Sequence, residues 1–439
     1  MKKNKINLLF LINDLFVNNF ETIYYECLKN ETFSVTVVAT DSLETEYKDY
    51  ISGEEIRKYI IKSGIKCINS FNKKTKKYID LSEYNPDYIF VSNPYDIYRT
   101  SKYSSFNLSL IAKVCDIEYG AIIVKDDENF ILNNTYYYNC YRHFIFDRKE
   151  KSLSKEFMKN KEINSKFYPI GCLKMDKYYN DYKKNKYWNK LFPANNNLKI
   201  VYKPRWTIKD EKYFFEFFSN ILNFTKNNNL QLFILEHPLL KSELKYKGLL
   251  EKYKNMIQEF ISENIKVYNG GDFLDYVIDG DVLIAEPTSL IAEFSLTQKN
   301  IIMIGDYTSL NDFGKSIIKK NYCTNSWKKT EIILKNILEK NKKIVSIKKL
   351  KENISTKKLL NYIQEDYYSD NFNKNYYQEK LKKITNELNN IKKILKQGYY
   401  ENGIINSSQS LYKEIDELLK LWSDETTRLK IFEETHKKE

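Results

Sequence analysis

At 439 residues, with 42% hydrophobic and 15% aromatic content, the chain has material for more than one buried core, and two domains are expected. A net charge of +13 favours a partner of opposite sign: nucleic acid, anionic lipid or an anionic substrate. The six cysteines (Cys27, Cys67, Cys115, Cys140, Cys172, Cys323) form no C-x-x-C pair and there are three histidines, which argues against structural zinc and fits a reducing cytoplasm.

The first half alternates strand and helix patterns. Ile6–Ile12 reads as a strand, too short for a signal peptide, and no segment approaches the roughly 20 apolar residues of a membrane span. A helix is predicted over Asn19–Leu28, a strand over Phe33–Ala39, a helix over Glu54–Ser63 and a strand over Ile65–Ile68. Asn85-Pro86 signals a turn before the strand Asp87–Val91, and Ser109–Val114 reads as a short helix. Ala121–Val124, His143–Phe146 and Phe167–Ile170 suit strand ends, while the acidic run Asp126, Asp127, Glu128 reads as a solvated loop. Such alternation implies βαβ units and parallel sheets.

Asn180–Asn197 is polar and basic, contains Pro193, and reads as a linker or exposed loop. The alternation then resumes. Lys199–Tyr202, Gln231–Leu235, Ile265–Tyr268, Val282–Ile284 and Asn300–Ile304 read as strands, with helices over Tyr213–Asn227 and Phe273–Val277. The expected fold class is α/β, with two Rossmann-like doubly wound domains and a C-terminal helical extension. The expected boundaries are 1–192, 193–360 and 361–439. In the extension, Leu381, Ile384, Leu388 and Ile391, then Leu411, Ile415, Leu418 and Trp422, form stripes for amphipathic helices that pack across the domains or join copies of the chain as a homo-oligomer. Lys340–Lys358 holds eight lysines and one acid, and Lys177–Lys190 interleaves five lysines with Tyr178, Tyr179, Tyr182, Tyr187 and Trp188. These clusters suit a peripheral anionic membrane surface or a plain solvated face.

Four segments of the second half carry groups for an anionic ligand. Ligands of open α/β sheets bind at the carboxyl ends of strands. Val201-Tyr202-Lys203-Pro204-Arg205-Trp206 ends the first strand and offers Arg205 to a phosphate. Glu236-His237-Pro238 ends the next; His237 can donate to an anionic oxygen and Pro238 stiffens the turn. Asn269-Gly270-Gly271-Asp272-Phe273 is a loop entering a helix, fit for a base or ribose. In DGDVLIAEPTSLIAEF, Glu286-Pro287-Thr288-Ser289 lies at a strand-to-helix turn, where hydroxyls and free helix N–H groups can hold a phosphate, and Glu293 is placed for a ribose.

The run YKPRW, then EHP, then DVLIAEPTSLIAEF resembles the carboxy-terminal domain of the CDP-glycerol glycerophosphotransferases, teichoic acid and capsule polymerases of the GT-B fold. Gly171-Cys172-Leu173-Lys174-Met175-Asp176 is similar to that family's G-x-P-[RK]-x-D segment, with Leu173 in place of proline. The resemblance covers roughly residues 85 to 310. It implies a nucleotide-activated donor, CDP-linked by preference, held by its pyrophosphate on Thr288, Ser289, His237 and Arg205. The acceptor it implies is a polysaccharide or a lipid-linked precursor, at the cytoplasmic membrane face. No cofactor is expected.

The family's Trp-His-Gly segment, whose His is the expected base, corresponds to Ile117-Glu118-Tyr119-Gly120 here. Glu118 therefore stands as the candidate base towards an acceptor hydroxyl, with Asp96 of Asn93-Pro94-Tyr95-Asp96 as rival. Either acid also suits a plain partner for a neighbouring Lys or Arg. Asp279-Gly280-Asp281 looks like a D-x-D metal motif but precedes the strand that the donor groups follow, so no metal is expected. The rival readings are a sugar-nucleotide glycosyltransferase on the same fold, a non-catalytic assembly scaffold, and a basic nucleic-acid-binding protein, which no recognition motif supports.

Overall fold

The computed structural model describes residues 5–15, 20–44, 49–146, 159–179, 183, 185–237, 239–268, 273–340 and 355–369. The first lobe carries β1 (Ile6–Ile12), β2 (Phe33–Ala39), β3 (Ile68–Asn69), a small antiparallel pair β4 (Phe71–Asn72) and β5 (Lys77–Tyr78), then β6 (Tyr88–Val91), β7 (Lys113–Ile117), β8 (Arg142–Ile145) and β9 (Phe167–Pro169). Seven of these form a parallel sheet in the order β3-β2-β1-β6-β7-β8-β9. Strands buried on both faces must read as unbroken apolar runs, which is why β1 is INLLFLI.

The second lobe repeats the plan. β10 (Lys199–Lys203), β11 (Gln231–Leu235), β12 (Ile265–Tyr268), β13 (Val282–Ala285), β14 (Asn300–Ile304) and β15 (Tyr322–Thr324) form a parallel sheet ordered β12-β11-β10-β13-β14-β15. Each sheet starts in its middle and winds out both ways. The order therefore reverses between β1 and β6, and again between β10 and β13, leaving a crevice at the strand carboxyl ends. The helix Glu211–Asn227 starts where Asp210 accepts the Tyr213 N–H (2.9 Å), and it lays Phe214, Phe218, Ile221 and Leu222 on the sheet.

Both sheets belong to one compact unit, Met1–Asn361. They meet where the chain leaves β7. Val124 bridges to Leu310, Asn311 N–H donates to the Ile123 carbonyl (3.0 Å), and Asn311 Nδ2 donates to the Ile122 carbonyl (3.0 Å). Asn311 Oδ1 also accepts the Gly314 N–H (2.9 Å), capping the helix Asp312–Ile318. Gly314 is required there, because a Cβ would run into the Ile123 carbonyl oxygen. A single apolar cluster passes through the joint, with Ala121, Ile123 and Phe146 packed among Leu290, Leu310 and Ile317.

Several expectations are corrected. The helix lies at Ser105–Ser109, not Ser109–Val114; Lys113 to Ile117 is instead strand β7 at the centre of the sheet. Only Ile68 of Ile65–Ile68 enters a strand, and Ala121–Val124 is the crossing to the second lobe, with one bridge at Val124. Asp126 to Glu128 lie in the helix Lys125–Leu132, not in a loop. The linker is not simply exposed: Trp188 is fully buried, donating from Nε1 to Gln231 Oε1 (2.8 Å) and stacking on Phe192. Trp188 and Tyr178 are core residues, so they are withdrawn from the basic-aromatic surface read over Lys177–Lys190. The cluster Lys340–Lys358 and the stripes beyond Ser369 fall largely or wholly outside the described residues. Among the described residues no helix is long and apolar enough to cross a membrane.

Replacing Asn311 by Ala removes a helix cap and a buried hydrogen bond at the joint, and is expected to cost about 2 kcal/mol or more. Asp312→Ala, on an exposed side chain beside it, should stay within about 0.5 kcal/mol. Urea unfolding midpoints compare the two.

Candidate functional site

Three strand ends of the second lobe converge on one cavity of about 280 Å³. β10 delivers Lys203, Pro204, Arg205 and Trp206; β11 delivers His237; β13 delivers Glu286, Pro287, Thr288 and Ser289. They flank the switch between β10 and β13, where the two crossover connections part and leave room for a ligand. The first lobe closes the opposite side with Pro94, Tyr95, Glu118, Tyr119 and Phe130.

His237 Nδ1 accepts the Leu239 N–H (3.1 Å), which leaves the ring proton on Nε2, and the ring stacks on Trp206. Burial, with the Lys203 charge nearby, holds its pKa down at about 3. His237 is thus a neutral N–H donor and carries no positive charge at working pH. Burial also pushes Lys203 down to about 7, with the Glu236 carboxylate opposing. An arriving anion would pull a proton back onto it. Glu286 Oε1 accepts the Arg205 N–H (3.2 Å), splinting the β10 and β13 loops together; burial raises its pKa and Arg205 opposes the rise.

Thr288 and Ser289 precede the helix Leu290–Ser295, and Ser289 makes no side-chain cap. That helix has six residues, so the dipole expected to assist at this turn is small and the hydroxyls themselves must do the binding. Gly120 of the first lobe lies directly on Ser289: a Cβ there would sit 2.5 Å from Ser289 Oγ.

The other expected site residues are placed differently. Glu118 lines the cavity, but its Oε1 accepts the Ile122 N–H (3.2 Å) and its Oε2 the Phe146 N–H (2.6 Å), so the carboxylate also shapes its own loop. Asp96 is outside the cavity lining. Its oxygens are taken by Arg99 Nη2 (2.6 Å), Ser105 N–H (2.9 Å) and Ser105 Oγ (2.6 Å), the partner role weighed against the catalytic one. Glu293 is 3% exposed and off the cavity; its Oε1 meets Lys174 Nζ at 2.9 Å. The same ammonium donates to the Tyr119 carbonyl. Glu293 is therefore a strut between the lobes, in place of the expected ribose contact. Phe273 packs on the core cluster rather than the cavity, and Pro238, Gly271 and Asp272 lie outside the described residues. Asp279 accepts three backbone N–H groups, from Asn185, Tyr187 and Trp188, and Asp281 accepts from Lys199 N–H, so both acids of D-G-D are structural. Among the described residues no three His, Cys, Asp or Glu side chains gather as a metal ion would need.

The sequence reading passed over Lys203, Trp206, Tyr95, Tyr119 and Phe130. Lys203 had a usable signal: it is the last residue of an apolar parallel strand, at the end where ligands bind. It also passed over Asp116 and His143, which sit in register on β7 and β8 in the cavity wall, Oδ2 to Nδ1 at 3.5 Å. A cross-strand pair is invisible until the register is known.

Two parallel Rossmann-like sheets with a cleft between them define the GT-B fold. No family model and no curated protein matches the chain. Solved structures do. A UDP-N-acetylglucosamine 2-epimerase of Listeria monocytogenes, described as putative, superposes with TM-score 0.52 at 12% identity, over 83% of this chain and 97% of that one. The UDP-GlcNAc 2-epimerase of Methanocaldococcus jannaschii, in complex with UDP-GlcNAc and UDP, gives 0.51 at 12% identity over 82% and 99%. Staphylococcus aureus MnaA, in a co-structure with UDP, gives 0.51 at 11% identity over 82% and 96%. At these identities the likeness establishes the fold.

Two predictions follow from the charges. Lys174→Met strands the buried Glu293 carboxylate and should cost about 3–5 kcal/mol, while Lys174→Met with Glu293→Leu should recover most of that loss. A ribose ligand would give no such rescue in unfolding experiments without nucleotide. For Lys203, the folded pKa of about 7 lies below the unfolded 10.5. Across that window the unfolded chain holds a proton that the folded chain lacks, so stability rises with pH. Lys203→Met should abolish this rise, with the two proteins differing most below about pH 7 in urea unfolding.

Proposed function

We propose that the chain is an enzyme acting on a nucleotide-activated sugar, whose diphosphate lies against the ends of β10, β11 and β13. The observation that carries this reading is the convergence of Lys203, Arg205, His237, Thr288 and Ser289 at the sheet's switch point. Two cations, an uncharged N–H donor and two hydroxyls suit a diphosphate, and in a partly dry cleft they can take up the charge that develops on a leaving nucleotide. UDP and UDP-GlcNAc are named as ligands in the titles of the fold neighbours, which favours a sugar nucleotide over a CDP-linked donor.

The reaction is transfer of the activated group to a hydroxyl of a surface polysaccharide or its lipid-linked precursor. Of the two acids weighed as base, Glu118 is the one in the cavity wall. Each of its oxygens keeps a lone pair beyond the one that holds a backbone N–H, so it can accept the acceptor's proton. Attack at the anomeric carbon then releases the nucleoside diphosphate. Glycerophosphate transfer from CDP-glycerol, with attack at the β-phosphorus and release of CMP, is the second reading. It is favoured by the order of the YKPRW, EHP and EPTS segments.

Nucleotide release from UDP-GlcNAc, UDP-glucose and CDP-glycerol, each with and without a bacterial surface-glycan acceptor, separates the two. Release of CMP from CDP-glycerol alone would sink the sugar-nucleotide reading. Glu118→Gln is expected to lower kcat by roughly a hundredfold or more with little change in nucleotide affinity, while Asp96→Asn keeps kcat. Arg205→Ala and Lys203→Met should each weaken UDP binding about tenfold or more. Binding by the native chain near pH 8 should take up a proton, read as a dependence of calorimetric heat on the buffer's ionisation enthalpy, and Lys203→Met should lose that dependence.

A further inference from the structure

On the first-lobe side the cleft is walled by aromatic rings. Tyr95 and Tyr119 join through their hydroxyls (2.7 Å), with ring centroids 6.2 Å apart, and Phe130 stands 5.8 Å from Tyr95. Tyr119 is 37% and Phe130 43% exposed. Large apolar side chains left open to water inside a cleft mark a binding surface more often than chance exposure does. The wall has a defined position along the ligand. Tyr119 directly precedes Gly120, and Gly120 rests on Ser289 at the end of the phosphate-binding row. The Tyr119 backbone is also pinned, since its carbonyl accepts from Lys174, which Glu293 holds in turn. A group attached to a diphosphate on Thr288 and Ser289 therefore emerges next to Tyr119.

We infer that Tyr95, Tyr119 and Phe130 form the subsite for the group carried by the nucleotide, and that this group is a pyranose ring. The inference rests on the diphosphate site proposed above. A pyranose presents a face of C–H bonds, polarised positive, that lies well on the negative face of an aromatic ring. It also presents equatorial hydroxyls at its rim, and the paired Tyr95 and Tyr119 hydroxyls offer both a donor and an acceptor there. A glycerol unit has neither a flat C–H face nor the width to span from Tyr119 to Phe130, so the wall selects for sugars.

Calorimetric titration of the full chain with UDP, UDP-GlcNAc and CDP-glycerol tests this. Phe130→Ala and Tyr119→Ala are expected to weaken UDP-GlcNAc about tenfold each and to leave UDP unchanged. Both side chains are exposed, so unchanged UDP affinity also certifies the fold. Tyr119→Phe should keep the stacking face and lose less than Tyr119→Ala. Equal losses for UDP and UDP-GlcNAc, no loss for either, or native binding that favours CDP-glycerol over UDP-GlcNAc would overturn the subsite while leaving a nucleotide site in place. A native chain that holds none of the three removes the diphosphate site itself, and the subsite with it.

Discussion

The hold of Asn311 and Gly314 on the backbone of Ile122 and Ile123 is the constraint on which the cleft depends. The two sheets share no strand, so their carboxyl ends face each other only because the segment leaving β7 is hydrogen-bonded to the cap of a second-lobe helix. That segment also carries Glu118, Tyr119 and Gly120. Docking it fixes where the first lobe's cavity wall stands relative to the phosphate row. The Lys174–Glu293 pair works to the same end from the other side, at 2.9 Å and largely out of water. A buried pair is costly to desolvate, and its use here fits a role in fixing register rather than in raising stability.

The polar groups of the second lobe divide between building the crevice and facing into it. Glu286 ties two strand-end loops together, Asp279 collects three linker amides, and Asp281 anchors the start of β10. Lys203, Arg205, His237 and the two hydroxyls remain for a ligand. Burial keeps His237 neutral and brings Lys203 close to neutrality. The empty crevice thus holds less positive charge than its residue count implies, and charge would be restored by the anion that needs it.

Much of this was legible in the sequence. Central parallel strands are apolar on both faces, so Gln231–Leu235, Ile265–Tyr268 and Asn300–Ile304 could be read to the residue. The rule that ligands sit at strand carboxyl ends found Arg205, His237 and the Glu286–Ser289 turn. What local pattern cannot carry is the identity of the partner across a joint. Glu293 and Asp96 look like ligand groups until Lys174 and Arg99 are seen beside them. Trp188 looked like surface among its lysines, because its partner Gln231 lies 43 positions away. The aromatic wall escaped for the same reason: Tyr95, Tyr119 and Phe130 come from three separate connections, and only folding brings their rings together.

Trp188 also redraws where one lobe ends. Its ring stacks on Phe192 and leans on Phe233 of β11, and its amide, with those of Asn185 and Tyr187, is held by Asp279. The polar stretch before β10 is therefore mortised into the second sheet. A fragment cut after Phe192 would open a hole against Phe233, strand the Asp279 carboxylate and leave Gln231 without its indole. The separable piece begins upstream of Asn185, inside a stretch that composition alone marks as disposable.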